Sequence, residues 1–185
     1  MIIRSFTEAN MELKLFRCRI CGDPYLGSEP PSFCPFCGAP ERYMVPAEEY
    51  VDRNTVPNLS AKSKENLEKA LDLEVKNASF YMCASNCATD PLSQAMFKAL
   101  SRTEAEHASL ICKILKVPKP EIKPDEKACL KDPKANFAAA YEREKKAAAF
   151  YNQSAQEATE ERVKEVFSAL TEVETYHIAL DHSRM

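Results

Sequence analysis

The chain has 185 residues, no tryptophan and only three glycines, Gly22, Gly27 and Gly38. From Ala39 to Met185 there is no glycine at all. Proline is confined too: seven of the twelve lie between Pro24 and Pro57, and none follows Pro133. Glycine and proline mark turns and break helices. Their distribution leaves a turn-rich N-terminal module, two long helical blocks and a Pro-rich connector between the blocks. No run of about 18 apolar residues is present, which excludes a helix that spans a bilayer. Net charge is only −3, so neither a nucleic-acid nor an anionic-membrane footprint is expected. The segment Met1–Phe16 lacks a basic stretch followed by an apolar one, so no secretion signal is expected and the protein reads as cytoplasmic. In a reducing cytosol its eight cysteines are expected to be metal ligands or thiols rather than disulfides.

Each helical block divides in two. Asp90-Pro91 and Asp132-Pro133 pair an N-cap with a first-turn proline, and Thr159 precedes two acids. Helices are predicted at about 61–88, 91–116, 133–158 and 160–182, each ~35–40 Å long. The short loops at 89–90 and near 159 make each pair an antiparallel hairpin. The connector from Lys116 to Asp132 can reach ~55 Å, enough to run the length of a helix. The order therefore need not be up-down-up-down.

The two blocks repeat at an offset of 70 residues. Glu74-Val-Lys-Asn-Ala-Ser-Phe-Tyr81 falls on Glu144-Lys-Lys-Ala-Ala-Ala-Phe-Tyr151, and Glu104-x-x-His107 on Glu174-x-x-His177. Phe97, Leu100, Glu104, His107 and Ile111 step by three and four along one helix stripe, and Phe167, Leu170, Glu174 and His177 repeat it. Glu74 and Glu144 lie on the apolar faces of the partner helices. Four carboxylates and two imidazoles thus sit where core residues belong. A buried unpaired carboxylate costs several kcal/mol. Two divalent cations would cancel four carboxylates. One Glu from each of two helices plus Glu-x-x-His from each of the other two is the ligand pattern of ferritin-like di-iron and di-manganese sites, and oxygen and nitrogen donors without thiolate favour Fe or Mn. Tyr81 and Tyr151 follow their glutamates by seven residues, two turns along the same face. Each phenol either hydrogen-bonds a ligand carboxylate or is a core aromatic satisfied elsewhere.

In the N-terminal module, Cys18-Arg-Ile-Cys21-Gly22 and Cys34-Pro-Phe-Cys37-Gly38 are two knuckles 12 residues apart. A glycine after the second cysteine permits positive φ, which can turn backbone amides toward sulfur. Four thiolates bind zinc or a single iron, and the spacing leaves both open. Tyr25, Phe33 and Pro35 would screen the site from water.

Taken together these motifs resemble the rubrerythrin family. Residues 16–43 resemble its rubredoxin-like domain and residues from about 60 to 182 its ferritin-like di-iron domain, in the order of the "reverse" rubrerythrins. The expected fold is mainly α: a ferritin-like four-helix bundle (49–185) preceded by a small rubredoxin-like four-cysteine metal module (1–48). The resemblance implies a non-haem peroxidase that defends against oxidative stress. Hydrogen peroxide would be reduced at a di-iron site held by Glu74, Glu104, His107, Glu144, Glu174 and His177, with Tyr81 and Tyr151 as catalytic groups. One iron, or zinc, would sit in the four-cysteine site of Cys18, Cys21, Cys34 and Cys37. No dinucleotide fingerprint is present, so a separate reductase would donate the electrons. The resemblance further implies a homodimer in which the four-cysteine site of one subunit serves the di-iron site of the other, and the linker Val45–Leu59, able to span ~40 Å or more, would carry the module away from its own bundle. The family's extra third-helix carboxylate is replaced here by Ala147, and Glu142 is a poor substitute unless a π-bulge shifts the register. Cys83 and Cys87 fall on the side of the first helix away from the site and are expected to be small, partly buried thiols, with Cys112 off the site and Cys129 in the connector. His182 is given no role. Two rival functions are an iron-handling ferroxidase and a binding protein with a structural zinc ribbon.

Overall fold

The computed structural model describes residues 12–185. Residues 1–11, which hold most of the segment read for a secretion signal and the start of the expected 1–48 module, lie outside the described residues. Three short strands open the fold, β1 (Lys14–Cys18), β2 (Pro24–Gly27) and β3 (Met44–Pro46). They form an antiparallel sheet in the order β2-β1-β3, with Phe16 opposite both Tyr25 and Pro46. Four helices follow: α1 (Ala61–Cys87), α2 (Pro91–Leu115), α3 (Pro133–Glu157) and α4 (Glu161–His182). None is long and apolar enough to cross a membrane.

The helix starts are set by local chemistry. Asp90 accepts from the Ser93 amide at 2.8 Å and Asp132 from the Lys134 amide at 3.1 Å, each with proline in the first turn. Ser60 caps α1 through the Ser63 amide. The expected cap at Thr159 is corrected: α4 starts one residue later, with Glu160 at the N-cap and no side-chain cap bond. The Glu160 carboxylate instead accepts from the Ser60 amide and the Ser63 hydroxyl, so it closes the N-terminus of α1 across the bundle. α2 ends on Lys116 in the left-handed region (φ 58), the conformation glycine usually supplies and this stretch lacks.

The helix directions follow from side-chain pairing. Tyr81 of α1 meets Glu144 of α3, and Tyr151 of α3 meets Glu74 of α1, so α1 and α3 run antiparallel. Since α2 and α4 reverse their predecessors, the order is up-down-down-up. The connector therefore does run along the bundle, and Asp125 donates its amide to the Ser79 carbonyl on the way.

The linker does not carry the module away. Phe16, Ile20 and Met44 of the module share one continuous core with Leu67, Ile111, Val163, Val166 and Leu170 of the bundle. Arg162, buried in α4, donates to the Ile20 carbonyl at 2.7 Å and to Asn54 Oδ1 at 2.8 Å. Lys113 of α2 donates to the Cys21 carbonyl at 2.8 Å. A buried guanidinium and buried carbonyls must be paired, and here each satisfies the other across the junction.

Candidate metal centres

The two knuckles bring Cys18, Cys21, Cys34 and Cys37 together, all buried. Cys18 Sγ lies 3.7 Å from Cys37 Sγ, and Cys21 Sγ 3.8 Å from Cys34 Sγ. Four sulfurs set tetrahedrally at ~2.3 Å from one ion stand about 3.8 Å apart, so the spacing fits a single zinc or iron. Gly22 and Gly38 adopt φ +90 and +72, as the knuckles require. Their own amides, however, go to the Cys18 and Cys34 carbonyls, and the amides facing sulfur are those of Ile20 and Asp23. Gly38 has a second reason to be glycine: a Cβ there would stand 2.9 Å from Val173 Cγ1 on α4. Hydrogen bonds with Cys21, Cys34 and Cys37 hold Cys18 well below the usual thiol range, while Cys21 is pushed well above it.

In the bundle, Glu74, Glu104, His107 and Glu174 converge on one point, and Glu104, Glu144, Glu174 and His177 on a neighbouring one. The two groups share Glu104 and Glu174, one from each Glu-x-x-His. All four carboxylates and His107 are fully buried. His107 Nδ1 lies 3.1 Å from Glu104, 3.4 Å from Glu74 and 3.5 Å from Glu174. His177 Nδ1 stands 2.8 Å from Glu174 Oε2 and 3.2 Å from Glu104 Oε1, aligned for a hydrogen bond with neither. Both Glu174 oxygens, Glu74 Oε2, Glu104 Oε1 and Glu144 Oε2 also lack a hydrogen-bond partner. Orphaned buried acceptors that point at one another are unstable as anions. Burial accordingly pushes Glu74 and Glu144 well above the usual carboxylate range. Burial would lower both imidazoles, yet Glu74 beside His107 and Glu174 beside His177 hold them well above theirs. Two divalent cations bound here would satisfy these acceptors. This donor set, oxygen and nitrogen without thiolate, is compatible with iron.

The tyrosines cross over: Tyr81 Oη donates to Glu144 and Tyr151 Oη to Glu74, each to the glutamate of the opposite helix. Of the two readings left open by the sequence, the structure takes the hydrogen bond to a cluster carboxylate. Asp181, missed by the repeat, is fully buried with Oδ2 3.5 Å from Tyr81 Oη. Burial pushes its carboxyl up to about 7. At the offset of 70 its counterpart is Ile111, so the repeat alone could not find it. Its place on the stripe, four residues after His177, could have. α3 is helical without a π-bulge, Ala147 is buried, and Glu142 stays outside, paired with Lys145 at 3.2 Å.

The two centres touch. His107 Nε2 hydrogen-bonds the Cys37 carbonyl at 2.9 Å, so a residue of the bundle cluster contacts a cysteine of the module in the same chain. A largely apolar pocket of about 310 Å³, lined by Phe33, Gly38, Val173, Tyr176 and His177, opens at the same junction. Elsewhere the structure corrects one expectation. Cys83 is not a free thiol but forms a disulfide with Cys129, because the connector returns along α1. Cys112 is a buried thiol, and His182 packs on Tyr141.

The family model for the rubredoxin-like domain of rubrerythrin matches residues 16–44, which hold all four knuckle cysteines. The model for rubrerythrin itself matches residues 65–180, which hold all six residues of the bundle cluster. No curated protein and no solved structure matches the chain. Since the second match covers more than half of the 185 residues and falls on the helices that build the cluster, the chain belongs to the rubrerythrin family, with its rubredoxin-like module ahead of its ferritin-like bundle.

Proposed function

We propose that the chain is a non-haem peroxidase that reduces hydrogen peroxide at the bundle cluster with electrons drawn through the four-cysteine module. The observation that carries this reading is the hydrogen bond from His107 to the Cys37 carbonyl. A scaffold with a structural zinc ribbon, or an iron store, has no need for it. In this reading Glu74, Glu104, His107, Glu144, Glu174 and His177 hold two irons, and Cys18, Cys21, Cys34 and Cys37 hold one. When bound, the bundle pair supplies the two electrons that cleave an O–O bond, and the thiolate-bound iron a one-electron relay.

The chain's own residues do the rest. Glu104 and Glu174, common to both groups, join the two halves of the cluster. His107 is held in orientation by donating its Nε2–H to the Cys37 carbonyl, which turns Nδ1 toward the carboxylates. Burial keeps both tyrosine hydroxyls protonated, well above the usual phenol range. Reduction of peroxide to two waters consumes two protons, and Tyr81 and Tyr151 hold protons at the cluster carboxylates. Asp181 is a further proton acceptor behind Tyr81. The pocket beside His177 is wide enough for a molecule as small as peroxide, and Phe33 and Tyr176, in edge contact at 5.0 Å, flank it.

The reading takes a separate reductase as electron donor and a cytoplasmic setting. The homodimer expected from the family is not required to bring the centres together. The test is peroxide consumption driven by a reduced donor. Iron-loaded protein should turn over. Cys34→Ser should lose the red colour of the thiolate site and donor-linked turnover while its helical content stays. Colourless protein with zinc on four thiolates after expression in iron would overturn the relay.

A further inference from the structure

Three cysteines outside both metal-ligand groups meet where the connector returns to α1. Cys83 and Cys129 form a disulfide with Cα atoms 5.8 Å apart. Cys87, one turn further along α1 and a free thiol, has its Sγ 3.5 Å from Cys129 Sγ. All three sulfurs lie within 4.8 Å of one another. Accessibility is graded: Cys83 is buried at 2% exposure, whereas Cys87 and Cys129 are half-buried. A structural staple needs two cysteines. The third stands in contact with the disulfide on the solvent side.

We propose that Cys83, Cys87 and Cys129 form a thiol–disulfide exchange site, in which Cys87 draws the buried disulfide outward and an external dithiol reduces it. In the first step the Cys87 thiolate attacks Cys129 Sγ. The Cys87–Cys129 bond forms, the Cys83–Cys129 bond breaks, and its electron pair leaves on Cys83 Sγ, which takes up the proton Cys87 released. One disulfide and one thiol stand on each side, so no oxidant is consumed. In the second step the dithiol attacks the Cys87–Cys129 disulfide, is itself oxidised to a disulfide, and leaves Cys87 and Cys129 as thiols beside the Cys83 thiol. The first step moves the attachment of Cys129 along α1 by four residues, ~6 Å. The second leaves this end of the connector held by the Asp125–Ser79 backbone bond and by the Asn136 side chain on Leu130. The connector is thereby a redox-sensitive strap over the bundle.

The experiment follows reduction of the oxidised full-length protein by dithiothreitol. Samples are acid-quenched, alkylated and mapped by mass spectrometry, with fragmentation between Cys83 and Cys87 to separate the two linkages. In the wild type a Cys87–Cys129 species should rise and fall before full reduction. Cys87→Ser should open the Cys83–Cys129 bond at least ~10-fold more slowly. Cys83→Ser should form Cys87–Cys129 outright, which keeps the test independent of how Cys87→Ser folds. Equal opening rates with and without Cys87 would overturn the proposal. So would the absence of the Cys87–Cys129 linkage at every time and in Cys83→Ser, or three free thiols in protein purified in air.

Discussion

A single residue, Asp181, breaks the symmetry of the bundle cluster. Tyr81 has a second carboxylate within hydrogen-bond reach, whereas Tyr151 bonds Glu74 alone, because the counterpart of Asp181 is Ile111. If Tyr81 passes a proton during turnover, Tyr81→Phe should lower kcat by on the order of 10²-fold, with iron content unchanged. Asp181→Asn should move kcat in the same direction, again with iron retained. Steady-state peroxide consumption together with metal analysis checks both, and loss of iron in either variant would reassign it to metal retention. The six cluster residues were legible in the sequence because the chain states them twice at a fixed offset, on stripes that would otherwise be apolar. Asp181 was not, because it occurs once. The Cys83–Cys129 pair was not legible either. Helical periodicity places Cys83 but says nothing about where an irregular connector brings Cys129.

At the scale of elements, the helix ends are tied to one another rather than capped one by one. Glu160 stands at the N-cap of α4 yet accepts from the Ser60 amide and Ser63 hydroxyl of α1. Burial alone would raise its carboxyl, but these hydrogen bonds win and bring it down to about 2. A carboxylate lowered in the folded state contributes stability above its unfolded pKa, near 4.3, and loses that contribution as pH falls through the folded value. Chemical unfolding of the wild type should therefore show a loss of stability between about pH 4 and pH 2 that Glu160→Gln lacks in part. Identical pH profiles for the two proteins would remove Glu160 from the account of this junction. The sequence marks Thr159-Glu160-Glu161 as a helix start but cannot show that the first acid reaches another helix. Helix lengths, by contrast, were readable to within a few residues, since Asp-Pro pairs and the absence of glycine leave few other places to stop.

At the scale of the molecule, the module docks on its own bundle. The linker's reach is readable from its length, but its direction is not. What sets the direction is pairing of groups that burial would otherwise strand: Arg162 with the Ile20 carbonyl, Lys113 with the Cys21 carbonyl, and His107 with the Cys37 carbonyl. The pseudo-symmetry of the repeat predicts equal roles for His107 and His177, and the docking makes them unequal. Only His107 contacts the module through a hydrogen bond, while His177 faces the pocket. His107→Ala and His177→Ala should both lower the iron content of the bundle. In protein reloaded with iron, His107→Ala alone should also slow electron delivery from the four-cysteine site.

The most direct measurement starts from iron-loaded protein bleached anaerobically with dithionite, freed of excess reductant and mixed rapidly with hydrogen peroxide. The red absorbance of the four-cysteine site should return in a first-order phase whose rate does not change as the protein is diluted, because both centres belong to one chain. Absorbance that stays bleached while peroxide is consumed would contradict the relay, and a rate that falls with dilution would contradict its passage within the chain.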